Sequence, residues 1–345
     1  MTDAPGQAAH GGDLDVVAIG SALVDVLSDA HEGDLHRLDV VKGTMALVDL
    51  DRSAALYDAM GATVEVSGGS AANTAAGVAA LGGRVGFLGK VADDTFGEVF
   101  RHDMTAMGVA MGTTAPLAAD DPGFDRATGR CLVFVTGDGE RTMATHLGVA
   151  STFGPADLDE PFVTRAKVLY LEGYLWDLEP AKVAMRRAIE IAHGADALVA
   201  MSLSDPFCVT RHQHEFLDLL HGSVDVLFAN EEEITLLFGS RHFDDALSAV
   251  EETGLLAALT RGAAGSVVVG ASGPLAVPAD PVARVVDTTG AGDLYAAGFL
   301  YGLTHGKEPG HCARLGGLCA AEVISHLGAR PQTDVRALAG AAGLL

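Results

Sequence analysis

Short apolar runs recur along the chain, and the spacing between them changes character part-way. Asp15-Val16-Val17-Ala18-Ile19-Gly20 is continuously apolar up to its closing glycine, the pattern of a strand buried on both faces. From about residue 160, similar runs at 168–171, 197–201, 224–228 and 266–269 alternate with stretches of helical spacing such as 180–193 and 243–253. That alternation predicts an α/β fold: a doubly wound, mostly parallel sheet flanked by helices. Residues from about 33 to 66 and from about 110 to 150 differ. Their β-like pieces, 45–48 and 131–135, are broken by Gly, Asp and Pro, which predicts a separate small β-sheet inserted as a lid. The expected organisation is a disordered lead-in over 1–12 and a single domain over 13–345 carrying those two lid segments. No internal repeat is visible.

Composition narrows the function classes. A chain of 345 residues with 49% hydrophobic content and 43 glycines suits one large, well-buried domain with many tight turns. Lys+Arg 22 against Asp+Glu 46 leaves a net charge of −24, which argues against nucleic acid or an anionic membrane as partner. No run approaches the ~20 apolar residues of a membrane span, and the first residues lack the basic and apolar parts of a signal peptide. Cys131, Cys208, Cys312 and Cys319 show no CxxC spacing, so reduced thiols in a cytoplasmic protein are expected rather than a zinc site or disulfides.

The candidate chemistry centres on Asp287-Thr288-Thr289-Gly290-Ala291-Gly292-Asp293, followed by the apolar, small-residue run 294–300. The glycines let a backbone approach a ligand closely, and the run after them starts a helix. Free N–H groups of Gly290, Ala291 and Gly292 at that helix N-terminus make an anion hole. Asp293 beside it would repel a bound anion, but it fits a phosphoryl group in transfer if it takes the proton of the attacking hydroxyl. The plainer reading is a glycine turn with Asp293 as helix cap. Residues 67–82 read as a Gly-Gly-Ser loop entering an alanine-rich helix that stops at Gly82, with Asn73 in its first turns as a cap or a ligand contact. Asp25, Asn230 and Asp293 each follow an apolar run, so they converge beyond the carboxyl ends of the strands, where such sheets bind ligands.

Taken together, Gly68-Gly69-Ser70-Ala71-Ala72-Asn73-Thr74-Ala75, Asn230-Glu231-Glu232-Glu233, Thr260-Arg261-Gly262-Ala263-Ala264-Gly265 and the stretch 287–300 resemble the ribokinase/PfkB family of carbohydrate and nucleoside kinases. The likeness runs from about residue 14 to 331, with the motifs in family order. Ala92 stands where the family usually has glycine, while Asp94 and Gly97 are kept. Within the family the chain looks most like adenosine kinases, on stretches such as Tyr170-Leu171-Glu172-Gly173-Tyr174-Leu175, Arg141-Thr142-Met143-Ala144-Thr145-His146-Leu147 and Ser21-Ala22-Leu23-Val24-Asp25.

The resemblance implies a transferase moving the γ-phosphoryl group of ATP to the 5′-hydroxyl of a ribonucleoside, adenosine to AMP in purine salvage. Asp293 would be the base, and Gly290, Ala291 and Gly292 the anion hole. Arg141 would be a lid arginine reaching the phosphates, or simply an exposed one. Asp25, Gly68, Gly69 and Asn73 would hold the ribose, with Leu23, Met143, Leu147, Leu175 and Phe207 as a slot for the base. ATP would meet Asn230, Thr260, Gly262, Gly265 and Thr289. Mg²⁺ would be held through water by Asn230 and Glu233, and a monovalent cation such as K⁺ belongs near residues 286–330. The family occurs as monomers and as homodimers joined through the lid. Another nucleoside (inosine, guanosine, cytidine) or a sugar such as ribose or fructose is the neighbouring reading. A non-catalytic nucleotide or sugar sensor is the reading of a different class. A dinucleotide oxidoreductase is disfavoured, because Gly20-Ser21-Ala22 does not supply G-x-G-x-x-G.

Overall fold

The computed structural model describes residues 12–115 and 126–345. Nearly all of the expected lead-in, and residues 116–125 of the second lid segment, lie outside the described residues. In chain order the strands are β1 (Leu14–Ile19), β2 (Leu23–Ala30), β3 (Met45–Leu47), β4 (Val64–Gly68), β5 (Val85–Leu88), β6 (Ala110–Met111) and β7 (Gly129–Thr136). They continue as β8 (Arg141–His146), β9 (Ala166–Glu172), β10 (Leu198–Ser202), β11 (Val226–Asn230), β12 (Leu256–Thr260), β13 (Ser266–Val269) and β14 (Leu275–Val277).

Among the described residues a nine-stranded sheet runs β14-β13-β12-β11-β10-β9-β1-β5-β6. It is parallel from β6 to β12, with β13 and β14 antiparallel at one edge. Helices cover both faces, because alternate residues of β1 serve two different cores. Val16 and Ala18 meet the helices Ser70–Ala80, Ala291–Thr304 and Pro309–Val323, while Val17 and Ile19 meet Glu179–Gly194 and Pro206–Leu220. This is the α/β architecture expected from the sequence. The chain leaves β1 toward β5 on one side and later returns through β9 on the other. The crevice beyond β1 and β9 is therefore the topological switch point.

A second sheet runs β3-β8-β7-β2-β4. It takes in residues 23–30, which lie outside the segments 33–66 and 110–150, whereas residues 110–111 pair with β5 in the large sheet. Strand β2 shows why: Val24, Val26, Ser28 and Ala30 are buried, and Leu23, Asp25 and Leu27 alternate with them on the more open face. The strand registers put Leu23, Asp25, Arg141 and Met143 on that same face.

The helix Ala291–Thr304 approaches both Ser70–Ala80 and Pro309–Val323 unusually closely. A Cβ built on Gly77 would lie 2.6 Å from Ala297 Cβ, and one on Gly298 would lie 2.5 Å from the Leu315 carbonyl. Small residues on Ser70–Ala80 and Ala291–Thr304 thus let their backbones meet, and this brings the N-termini of both helices to the crevice.

Candidate active site

Asp293 sits in the first turn of Ala291–Thr304, beside the first turn of Ser70–Ala80. Ser70 Oγ donates to its Oδ1 at 2.7 Å, Asn73 Nδ2 donates to its Oδ2 at 2.9 Å, and Thr74 Oγ1 donates to its carbonyl at 3.2 Å. Burial raises the pKa of the carboxyl, while those two side-chain donors and the charge of Arg330 oppose the rise. The result is a fixed, desolvated carboxylate of heightened basicity. It does not cap its own helix. That position belongs to Gly290, which is left-handed at φ 77° and whose Cβ, if present, would come within 2.7 Å of Ala329 Cβ.

The backbone donors of this turn are partly spent. Ala291 N–H donates to the Thr288 carbonyl at 3.2 Å, whereas Gly290, Gly292 and Asp293 N–H meet no acceptor among the described residues. Asp293 N–H therefore takes the place of Ala291 N–H in the set of free donors, because the turn uses the Ala291 N–H to close itself.

Asp25 faces this site from β2. Burial raises its carboxyl to about 6, with Arg330 and Arg141 pulling it down and Asp293 pushing it up. A Cβ on Gly68 would lie 2.5 Å from the Asp25 carboxylate, so only glycine leaves that group its place. Gly69 turns the chain at φ 99°, and a Cβ there would collide with the Ser21 carbonyl.

Two charges that sequence reasoning gave no role, one buried and one half-buried, support this arrangement. Glu172, at the end of β9, is fully buried and accepts from Ser21 N at 2.7 Å and from Ala71 N at 2.9 Å. Gly69 has no side chain with which to cap Ser70–Ala80, so Glu172 caps that helix from a neighbouring strand. Burial raises its carboxyl to about 7. Below pH 4.5, the ordinary value, this group favours the folded state, and its contribution is lost as pH rises toward about 7. Replacing it with alanine orphans two backbone donors, at about 1–3 kcal/mol each. Chemical denaturation of Glu172→Ala should show that loss. Glu172 falls within the stretch 170–175 that carries the family resemblance, but nothing local marks it as a cap for a helix 101 positions away. Arg330, the second charge, lies outside every motif.

Arg141 is neither exposed nor free. It forms an ion pair with Asp287, both side chains being under 10% exposed, and Nη1 donates to Thr289 Oγ1 at 3.3 Å. Its Nε is buried without a partner. Asp287 also accepts from Thr289 N at 3.0 Å and from Gly328 N at 2.9 Å.

On the other side of the crevice, Asn230 and Thr260 are paired in register at the ends of β11 and β12. Asn230 and Glu233 close on each other as a capping box, with Asn230 Nδ2 donating to Glu233 Oε1 at 2.7 Å and Glu233 N donating to Asn230 Oδ1 at 2.8 Å. Glu233 is buried rather than part of a solvated face, and burial raises it to about 7. Among the described residues no group of three or more His, Cys, Asp or Glu side chains is placed to hold a metal directly. The oxygen donors of Asn230 and Glu233 do suit an outer shell around the Mg²⁺ that ATP carries. In the stretch 286–330, where K⁺ is expected, Asp287 and Asp293 accept hydrogen bonds from the chain, and Glu322 keeps Oε2 without a partner. Gly262 lies at φ 55° with open space beside it, and Gly265 at φ 87° is pinned by the Val277 carbonyl.

The expected base slot is only partly assembled. Leu23, Met143 and Leu147 are half-buried around the small sheet. Leu175 is core: it is 1% exposed and packs with Trp176, Phe153 and the helix Glu179–Gly194, because its 3-10 turn points it beneath the sheet. Phe207 is 73% exposed at the start of Pro206–Leu220 and closes no slot. Asp94 and Gly97 serve the fold: Asp94 caps Thr95–Ala106 through Gly97 N at 2.8 Å and also accepts from Thr128 N.

A model described as "pfkB family carbohydrate kinase" matches residues 15–336. The chain belongs to that family. This makes it a kinase whose acceptor is a hydroxyl group, of the ribokinase-like nucleoside and sugar type. The kinase is 47% identical to the structure of adenosine kinase from Sinorhizobium meliloti, with TM-score 0.87, over 96% of this chain and 100% of that one. It is 43% identical to the structure of a probable sugar kinase from Rhizobium etli CFN 42, with TM-score 0.88, over 97% and 100% of the two chains. Adenosine kinase of Saccharomyces cerevisiae is 30% identical over 341 residues, covering 91% of this kinase and 95% of that protein. No helix among the described residues is long and apolar enough to cross a membrane.

Proposed function

We propose that this kinase transfers the γ-phosphoryl group of Mg·ATP to the 5′-hydroxyl of a ribonucleoside, with adenosine as the preferred acceptor. The observation that carries the reading is the pair of half-buried, desolvated carboxylates, Asp25 and Asp293, on opposite walls of the crevice, with Asp293 raising the basicity of Asp25. Asp293 takes the proton of the 5′-hydroxyl as its oxygen attacks the γ-phosphorus. The bond to the bridging oxygen breaks and ADP leaves with that electron pair. The free N–H groups of Gly290, Gly292 and Asp293 face the charge that builds on the phosphoryl oxygens. The unpartnered Nε of Arg141 is a further donor for them.

Asp25 accepts from the ribose hydroxyls over Gly68 and Gly69, and Asn73 holds both Asp293 and the sugar. Leu23, Met143 and Leu147 line the base. The second sheet acts as a lid that keeps water from the γ-phosphate. Mg²⁺ travels with ATP and screens its phosphates, and Asn230 and Glu233 order water around it. Four free, buried cysteines suit a cytoplasmic enzyme.

ADP release with Mg·ATP, measured against adenosine, inosine, guanosine, cytidine, ribose and fructose, tests this reading. Adenosine should give the highest kcat/KM. The likeness to a probable sugar kinase keeps a sugar acceptor as the second reading, and turnover of a sugar alone would establish it.

Gly292 gives a sharper local test. Nothing lies within 4 Å of where its Cβ would sit, so the fold places no demand on this glycine. Alanine there should leave Tm unchanged or slightly higher, since glycine in a helix costs roughly 0.5–1 kcal/mol relative to alanine. Meanwhile kcat/KM for ATP should fall by about tenfold or more, as the methyl group enters the space kept for the phosphoryl group. Equal activity of the two forms would remove Gly292 from the anion hole.

A further inference from the structure

Arg330 rides on the strap that follows the helix Pro309–Val323. The strap is anchored on both sides of it. Gly328 N donates to Asp287 Oδ2 at 2.9 Å, and Ala329 lies against Gly290, while Gln332 N and Thr333 N donate to Glu322 Oε1 at 3.0 and 2.8 Å. Between these anchors the guanidinium turns inward and grips one short segment. Nε and Nη2 donate to the Ser67 carbonyl at 3.1 and 2.8 Å, Nη1 donates to the Ala72 carbonyl at 2.6 Å, and Nη2 reaches Ser67 Oγ at 3.2 Å. These acceptors bracket the Gly68-Gly69 turn on which the acceptor site is built. A half-buried guanidinium whose hydrogen bonds go only to neutral partners is costly, and desolvation does lower its pKa to about 10. No carboxylate among the described residues forms a salt bridge with it, yet its charge acts on Asp25, Asp293 and Asp103 together. It is thus a shared counter-charge and a mechanical clamp in one side chain.

We infer that Arg330 is a positioning residue for phosphoryl transfer: its planar fork fixes residues 67–72 beneath the acceptor, and its charge lets Asp25 and Asp293 be negative side by side. The inference rests on the nucleoside-kinase reading for its substrate, but the two fail separately.

The test compares Arg330→Lys, which keeps the charge and loses the fork, with Arg330→Met, which loses both. With adenosine and Mg·ATP, both variants should raise the adenosine KM about tenfold, the loss of a charge-assisted contact, with the ATP KM unchanged. Asp25 is faced by Arg330, Arg141, Asp293 and Cys131, and Asp293 by Arg330, Glu172, Tyr170, Tyr174 and Glu233. Removing the one cation common to both should move the acid limb of kcat/KM upward by about one pH unit in Arg330→Met. In Arg330→Lys the limb should stay where it is.

An unchanged adenosine KM in both variants overturns the clamp. An unmoved acid limb in Arg330→Met overturns the shared charge. Should neither variant fold, Arg330→Gln, which keeps a shorter planar donor and loses the charge, takes their place, and an adenosine KM equal to that of the parent protein overturns the clamp. If the parent protein turns over no nucleoside or sugar, the functional reading fails by itself. Amide exchange then decides: faster exchange at residues 68–73 in Arg330→Lys supports the clamp, and identical exchange overturns it.

Discussion

Asp293→Asn should lower kcat by on the order of 10³-fold while adenosine still binds. Asparagine keeps the size and most of the hydrogen-bonding shape, so Ser70, Asn73 and Thr74 still find partners in the first turn of Ala291–Thr304. What it loses is the ability to accept the hydroxyl proton as the phosphorus–oxygen bond forms. The buried setting makes that loss large, since water cannot easily replace a base held in a desolvated niche. Isothermal titration for binding and ADP release for turnover separate the two effects. Turnover near that of the parent protein would remove Asp293 from the role of base and leave it as a structural acceptor between two helices.

Asp25→Ala should weaken adenosine binding by about 10²-fold, the scale of losing one or two hydrogen bonds to a charged acceptor, and should leave ATP binding nearly unchanged. The same carboxylate gives the pH dependence its direction. Its pKa is raised to about 6, so as pH falls through that value Asp25 gains a proton and stops being an acceptor for two hydroxyls at once. Adenosine KM should therefore rise below about pH 6 in the parent protein and stay flat with pH in Asp25→Ala. Equal loss of nucleoside and ATP affinity in the variant would place Asp25 elsewhere in the mechanism.

The large sheet was legible because its strands are continuous apolar runs separated by amphipathic helices, a signal that survives without any tertiary knowledge. Strand β2 was harder. Its apolar residues alternate with Asp25, Ser28 and Asp29, and directly after β1 they look like the start of a loop. The alternation was in the sequence, and only the partner strands β4 and β7 show that it is a strand. Motif reading found the loop at 287–293 and the turn at 68–69, because glycines at positive φ leave a visible mark.

The groups that hold those loops in place left no such mark. Glu172 acts on backbone atoms 101 and 151 positions away and Arg330 on ones 258 and 263 away, and a contact with a peptide group carries no residue signature in the partner. Arg141 was found as a residue, but its engagement with Asp287 was not, since nothing local links a small-sheet strand to the 287–293 loop. Leu175 misled for the opposite reason. An apolar residue after a strand reads the same whether it lines a slot or fills the core, and here the 3-10 turn buries it.

The central claim is that the hydroxyl phosphorylated is the 5′-hydroxyl of adenosine, and product analysis tests it most directly. Adenosine and Mg·ATP incubated with the protein should give AMP and ADP in equal amounts, with the new ³¹P resonance that of a 5′-phosphate. ADP without AMP, or a phosphorylated product formed only from ribose or fructose, would contradict it.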